Sequence, residues 1–523
     1  IAMAKAELEA LTFKDVWEAK GTQTSIVAHF QSLQIEDDSL SDYFSIKTGK
    51  RLPSMEQFFD AILEDAPNKF LTIAFLGHCG EACHRSKGSK KRKHHDHRRF
   101  SDMQTPSGFG RNEIWKEIQA EPAKRIMCSR PHGASLINIR LMHPIFQEVV
   151  DVLERGDPIR QDYELAARLA CIQPNSYENE GRRRDEVNDL LNEYVAKAHG
   201  LVICARIVAR TSESDSSAGE FFNVEYKNEK GLGSADPFME NAAYYALYWS
   251  HKNGPDYHCC PWLMMEVVGQ EIGLAGGVWA CGFPCVQPLS CNVPFLEVPQ
   301  DRSLQLMQVR LCMGLRIGFS GLAAWYRDVV PKLLTPDPQA QFPHTRTFTD
   351  FNGTKIGLQY EGKMDHQANN IALFRAKRLD SNEDVVVKFT LWYGEAVHKL
   401  LAEQDMAPPL FACEDVADMK MVVMGYCEGS MWPDAPSQTQ MELLKRAERI
   451  LGEANLVHGD LRKPNVLVEG DKIRIIDFDW AGPAGTVKYP ICLSTVEAWH
   501  ENAGVSCPIE HTHDHHLVKI LCA

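Results

Sequence analysis

At 523 residues the chain is too long for a single hydrophobic core, and two or three domains are expected. Hydrophobic residues at 44% and charged residues at 24% are ordinary for a globular protein. A formal net charge of -14 argues against a protein that coats nucleic acid through bulk charge, although it leaves room for a local basic groove. No apolar run approaches the ~20 residues that span a bilayer. The chain opens on Ile1 rather than Met, so a fragment or a removed leader stays open, but residues 1–5 carry no apolar leader core. The 16 cysteines are scattered, with Cys259 and Cys260 adjacent. This suits free thiols in a reducing compartment, the cytosol or nucleus, rather than a disulfide framework.

Between residues 4 and 63 apolar side chains recur at helical spacing, among them Leu8, Leu11, Val16, Phe59 and Ile62, with Pro53 at a helix start. Residues 69–76 are a short apolar run that suits a strand or a buried helix equally. Residues 85–99 are the most polar stretch and contain Lys90-Lys91-Arg92-Lys93. Such a run engages a nuclear import receptor or phosphate backbones, or is simply a solvated loop. Cys79, Cys83 and His84 lie just upstream, but no second ligand pair follows at zinc-finger spacing. Order resumes over residues 131–153, where Val149, Val150, Val152 and Leu153 follow a helical pattern.

A helix opens at Glu180 and carries Val187, Leu190, Leu191 and Val195 on one face. A strand follows over 201–209, then a polar turn with Asp215, then a second strand over 220–231. There Glu225 and Lys227 stand two apart and project from the same face. Carboxylates from turn and strand can share a divalent cation, while the lysine orients or deprotonates an attacking water. A helix with Tyr244, Tyr245, Tyr248 and Trp249 and a strand over 261–269 complete this region. A long apolar helix over 304–330 ends before Pro331, and the Pro-rich residues 335–338 mark a domain boundary.

The order helix, strand, Asp, strand with Glu-x-Lys, helix resembles the restriction-endonuclease-like core. The text around Tyr226-Lys227-Asn228-Glu229-Lys230-Gly231 is similar to the nuclease-like modules of Crinkler-type proteins. That resemblance implies Asp215 and Glu225 as Mg2+ or Mn2+ ligands, Glu180 as a helix-borne acid, Lys227 as catalytic lysine, and DNA or RNA as partner. The Asp215 turn departs from the family pattern, and Glu213 is an alternative ligand.

Strand patterns return at 355–363 and 370–376. Val385-Val386-Val387-Lys388-Phe389-Thr390 puts Lys388 where an ammonium neutralises nucleotide phosphates, and it needs a carboxylate partner on the next helix. Glu395 is the expected partner, with Glu403 in reserve. Residues 421–426 read as a strand and hinge whose backbone, at Met424 and Tyr426, meets adenine. The stretch His458-Gly459-Asp460-Leu461-Arg462-Lys463-Pro464-Asn465, followed by Asp477-Phe478-Asp479, resembles the catalytic and metal-binding loops of protein-kinase-like domains. The resemblance implies ATP and Mg2+ as cofactors, Asp460 as catalytic base, and Asn465 and Asp477 as magnesium ligands. It also gives His458 a packing role and Asp514 that of an anchor for the loop. The histidines 511, 513, 515 and 516 read as polar helix-start residues rather than a metal cluster. Gly459 replaces the usual Arg, Asp479 replaces the usual Gly, and the glycine-rich loop is poor. Residues 478–523 are fewer than a full carboxy-terminal lobe needs.

The expected fold class is therefore α/β and α+β multidomain. A mainly helical region (1–170) with the basic loop 85–99 precedes a restriction-endonuclease-like α/β core (171–335). A truncated two-lobed protein-kinase-like domain (336–523) follows. The expected function is a kinase-like phosphotransferase, for a protein or small-molecule acceptor, fused to a metal-dependent nuclease-like domain. The Crinkler-like pairing implies an effector acting in a nucleus or cytoplasm, although no delivery header is recognisable. The alternative is a catalytically inactive kinase-like pseudoenzyme whose middle domain binds nucleic acid or a partner.

Overall fold

A computed structural model describes residues 105–131, 137–204, 207–208, 221–230, 235–364, 372–491, 493–494 and 497–523. The basic run 85–99, the Cys79-Cys83-His84 group and the Asp215 turn with Glu213 lie outside the described residues. Among the described residues no helix is long and apolar enough to cross a membrane.

The first described part is helical: α1 (Asn112–Ala120), α2 (Ile145–Arg155), α3 (Arg160–Ile172) and α4 (Glu180–Leu191). A mixed sheet follows in the order β1 (Ile203–Cys204), β2 (Ile207–Val208), β3 (Phe222–Lys227), β4 (Trp262–Val268), β5 (Glu271–Ala280), β6 (Phe283–Pro288), with β7 (Val293–Pro294) on β5. The single strand expected over 201–209 is instead a tight antiparallel hairpin, with Ile203 opposite Val208. The two parallel strands β3 and β4 are joined through helix α5 (Pro237–Ser250), the crossover that parallel pairing demands. Asp236 caps α5 by accepting from the Met239 N–H, and Pro237 takes the first helical position where no amide donor is needed.

Both faces of β3 are covered, so its residues alternate in chemistry rather than in exposure. Phe222 packs against Phe319 of α6 (Arg302–Asp328), and the Tyr226 hydroxyl donates to Asn188 on α4 at 2.6 Å. On the opposite face Asn223 donates to Asn241 of α5, and Glu225 and Lys227 follow on that face. Arg183 of α4 is buried, and its guanidinium donates to the Gln173, Gly269 and Asn228 carbonyls. It thereby ties the start of α4 to the ends of β3 and β4. Helix α6 approaches α2 closely because Gly318 has no side chain; a Cβ there would stand 2.9 Å from Val149 Cγ2.

The second sheet is antiparallel, in the order β12 (Leu410–Val416), β13 (Met419–Gly425), β11 (Asp384–Thr390), β10 (Ala372–Arg378), β9 (Lys355–Lys363), β8 (Thr347–Thr349). Helix α7 (Glu395–Glu403) follows β11. The β12–β13 turn is two residues, Ala417 and Asp418, both with positive φ, as tight hairpins require. Its Asp418 carboxylate accepts from Gln147 of α2 at 2.7 Å. One apolar cluster runs from Phe109 through the first sheet to Val423 of β13, so the two sheets share a core.

A second cluster lies beneath the second sheet, between α7, α8 (Gln438–Glu453) and α9 (His511–Leu521). It also takes in the short strands β16 (Val466–Glu469) and β17 (Lys472–Ile475), which pair with each other, β16 pairing in turn with β14 (Ser430–Met431). β15 (Leu456–Val457) pairs with β18 (Gly482–Pro483). The loop between β15 and β16 and the residues after β17 lie under the second sheet and carry the site.

Candidate functional site

The loop after β15 is held by its backbone. His458 and Gly459 donate their N–H groups to the two oxygens of Asp514 on α9, at 2.6 and 2.8 Å. Gly459 adopts φ +81°, a conformation open to glycine, and this turns both amides toward the same carboxylate. Burial pushes the Asp514 carboxyl up to about 7, against the two amides that hold it down. His458 is wholly buried and neutral, its pKa lowered to about 4 by burial. Its Nδ1 accepts from the Asp460 N–H, its Nε2 faces the Ile476 carbonyl at 3.1 Å, and its ring packs edge-on against Phe478. The histidines of α9 contact separate groups: His515 meets Glu448, His516 the Ala498 carbonyl and His511 Asn455. Among the described residues no group of three or more acidic, histidine or cysteine side chains is arranged to hold a metal by themselves.

Asp460 is buried, which raises its carboxyl to about 6 against the opposing pull of Arg462 and Asn465. Arg462 grips both Asp460 oxygens, through Nε to Oδ1 and Nη2 to Oδ2, the latter at 2.9 Å. Its Nη1 reaches Glu497 at 2.7 Å. Asn465 donates through Nδ2 to the Asp460 Oδ2 at 2.7 Å, so the amide carbonyl is the end that Asp460 does not engage. The Ile476 N–H donates to the Asn465 carbonyl, placing Asp477 next in chain beside this pair.

Asp477, at φ +68°, lies against β11. Lys388 Nζ stands 2.6 Å from Asp477 Oδ1 and 2.6 Å from Asp479 Oδ1. Burial alone would lower that ammonium, but the two carboxylates outweigh it and the net shift is upward. Here the sequence expectation fails. Glu395 is not the partner of Lys388: it sits in the first turn of α7, after the Gly394 cap, and pairs with Lys399 one turn on, at 2.6 Å. The buried side chain of α7 that faces the site is His398, stacked on Phe478 at 4.4 Å and held by Tyr393 and the Pro408 carbonyl.

Val386 and Met424 lie in the apolar cluster beneath the sheet, with Met364, Leu373 and Tyr426 packed against it. Val386 and Met424 are direct cross-strand neighbours and make an apolar patch on the sheet face that carries Lys388. The N–H groups of Gly425 and Tyr426 are already taken by the Pro409 and Asp384 carbonyls. A cleft of about 330 Å³ is lined by Glu361, Gly362, Lys363, Met364, Arg375 and Tyr426. The Arg375 guanidinium covers the Tyr426 ring at 4.4 Å.

Residues 415–482 match the family model of the RIO domain. RIO domains are atypical protein-kinase-like domains, so this part of the chain is kinase-like. Such domains bind ATP and Mg2+. The residues here fit both. The Asp477 carboxylate and the Asn465 side-chain carbonyl, the end turned away from Asp460, are hard oxygen donors of the type magnesium takes. Lys388 supplies an ammonium suited to phosphate. No curated protein matches the chain.

The middle sheet carries a second polar cluster. Lys227 Nζ contacts Glu225 Oε1 at 3.3 Å and Glu240 Oε2 at 2.5 Å. Burial lowers the Lys227 ammonium, but Glu240, Glu225 and the nearby Glu180 raise it further, with a net upward shift. Glu240 of α5 is missing from the sequence reading. Its signal was an acid in the apolar run of a helix that covers the Glu-x-Lys strand. Glu266 is directly opposite Glu225 in register on β4, and burial pushes its carboxyl up to about 7. Of the expected nuclease residues, Glu225 and Lys227 are in contact, Glu180 bears on Lys227 through its charge, and Asp215 lies outside the described residues.

Proposed function

We propose that the chain is an ATP- and Mg2+-dependent kinase-like phosphotransferase. Asp460 is the base that orients the acceptor hydroxyl, Asn465 and Asp477 are the magnesium ligands, and Lys388 is the phosphate anchor. The apolar patch of Val386 and Met424, with Tyr426 beside it, takes adenine. The observation that carries this reading is one continuous chain of contacts, Lys388 to Asp477 and Asn465 to Asp460. Magnesium supplies charge neutralisation of the phosphates when bound. The protein groups hold the nucleotide, keep water from Lys388 and accept the proton of the acceptor at Asp460. Arg462 joins this set: its position against Asp460 suits charge developing on the transferred group.

The acceptor is a protein or small-molecule hydroxyl. Incubation with γ-labelled ATP and Mg2+ tests the reading. Label transfer in the wild type that is lost in Asp460→Ala supports it. Transfer that persists in Asp460→Ala refutes the base. Nucleotide binding without any transfer points to the pseudoenzyme alternative.

A second reading, favoured by the Glu225, Lys227 and Glu240 cluster on a strand–helix–strand crossover, is a metal-dependent nuclease in the middle sheet. It would match the Crinkler-like pairing and action on nucleic acid in a nucleus. Plasmid loss with Mg2+ or Mn2+ that is abolished by Lys227→Ala supports it, and loss that survives the substitution refutes it.

A further inference from the structure

We infer that Asp479, the residue standing where kinase-like loops carry a glycine, is the positioning carboxylate of the nucleotide site. It holds Lys388 in place of a helix glutamate. The inference rests on the kinase-like reading above and deepens it.

Four observations carry it. Among the described residues, the ion pairs of Lys388 are to Asp477 and Asp479 alone, each at 2.6 Å. The helix acid in the expected place, Glu395, is committed to Lys399. Asp479 is fixed from a second side, because Thr390 Oγ1 donates to its Oδ2 at 3.0 Å. Thr390 is two residues from Lys388 on β11 and so lies on the same face of the strand. One carboxylate thus braces against that face twice, while Lys388 is buried and must keep a counter-charge when desolvated.

The charge count makes the division of labour necessary. One ammonium between two carboxylates leaves a net negative site, which suits a divalent cation. If Asp477 serves the cation, a lysine without a second acid would stand buried and unpaired beside it. Asp479 removes that conflict. It also gives Lys388 its counter-charge without an acid from α7, since lysine and carboxylate lie on β11 and the residues that follow β17. A glycine at 479 could do none of this.

The test is equilibrium binding of ADP, with and without Mg2+, to the full chain and to Asp479→Asn, Asp477→Asn and Glu395→Gln. Thermal unfolding is followed in parallel. We expect Asp479→Asn to weaken binding at least tenfold in both conditions while keeping the strengthening by Mg2+. Asp477→Asn should lose that strengthening, and Glu395→Gln should stay within twofold of wild type. If Asp479→Asn unfolds, Thr390→Val takes its place and should weaken binding severalfold in both conditions. The inference is overturned if Asp479→Asn, or Thr390→Val in its place, binds as wild type does. It is also overturned if Glu395→Gln loses as much, or if Mg2+ dependence disappears in Asp479→Asn and survives in Asp477→Asn. Failure of the wild type to bind ADP at all overturns the nucleotide-site reading and this inference together; the other failures leave the nucleotide site standing.

Discussion

Substituting Asp514 by alanine tests the idea that a carboxylate from the last helix builds the catalytic loop. Asp514 accepts the His458 and Gly459 amides at 2.6 and 2.8 Å, and all three residues are buried. A hydrogen bond to a charged group contributes about 1.5–3 kcal/mol net, so the pair is worth about 3–6 kcal/mol to the local stability of the loop. At about 1.4 kcal/mol per factor of ten, these amides should exchange about 10²–10⁴-fold faster in Asp514→Ala. Hydrogen exchange read by mass spectrometry on peptides spanning residues 456–462 measures this. It should be run at pH 8, above the value of about 7 to which burial pushes Asp514, so that the carboxylate is ionised. Asp514→Asn keeps one acceptor and should fall between. Exchange in Asp514→Ala within threefold of wild type would refute the reasoning.

Transfer activity should fall on the acid side with an apparent midpoint near 6, because burial raises Asp460 to about 6 and the base must be ionised. Arg462 holds that value down, so Arg462→Ala should move the midpoint upward, and a pH–rate profile reads both. The same shift bears on folding. The folded chain keeps a proton that the unfolded chain has lost, so this stability is fully present below pH ~4 and is lost as the pH rises through 6. Lys227→Met leaves Glu225 and Glu240 buried without their cation and should cost about 3 kcal/mol in urea unfolding. A change under about 1 kcal/mol would contradict the pairing. Gly318→Val forces side-chain atoms onto Val149 and Leu263, which stand 2.9 and 3.1 Å from the added Cβ. It should cost about 1–3 kcal/mol by the same measurement.

The kinase-like site was legible because its chemistry is local. The Asp460 to Asn465 spacing, Asp477 after an apolar strand and Lys388 in a β-branched run each sit within a few residues. The Asp514 anchor was legible from the same resemblance, and α9 delivers it. What failed was the Lys388 partner. Glu395 stands seven positions after Lys388, but Gly394 starts α7 so late that Glu395 falls in its first turn and meets Lys399. Only the packing decides that the lysine turns to Asp477 and Asp479 instead.

In the middle sheet the Glu-x-Lys strand and the crossover helix were readable from alternation and capping. β5 was not, since its glycines at 273, 276 and 277 and its burial on both faces erase any period-two pattern. The hairpin of β1 and β2 looked like one strand because Arg206 alone interrupts the apolar run from 203 to 208. Glu240 left only a weak signal, an acid in an apolar helix, and it is the fold of that helix over β3 that returns it to Lys227, thirteen positions back.

The most direct test of the account is a crystal structure of the chain with a non-hydrolysable ATP analogue and Mn2+, the metal located by its anomalous signal. The account predicts the adenine against Val386 and Met424, the phosphates at Lys388, and a manganese peak at coordination distance from Asn465 Oδ1 and the Asp477 carboxylate. A nucleotide bound elsewhere, or a metal peak away from both residues, would contradict it.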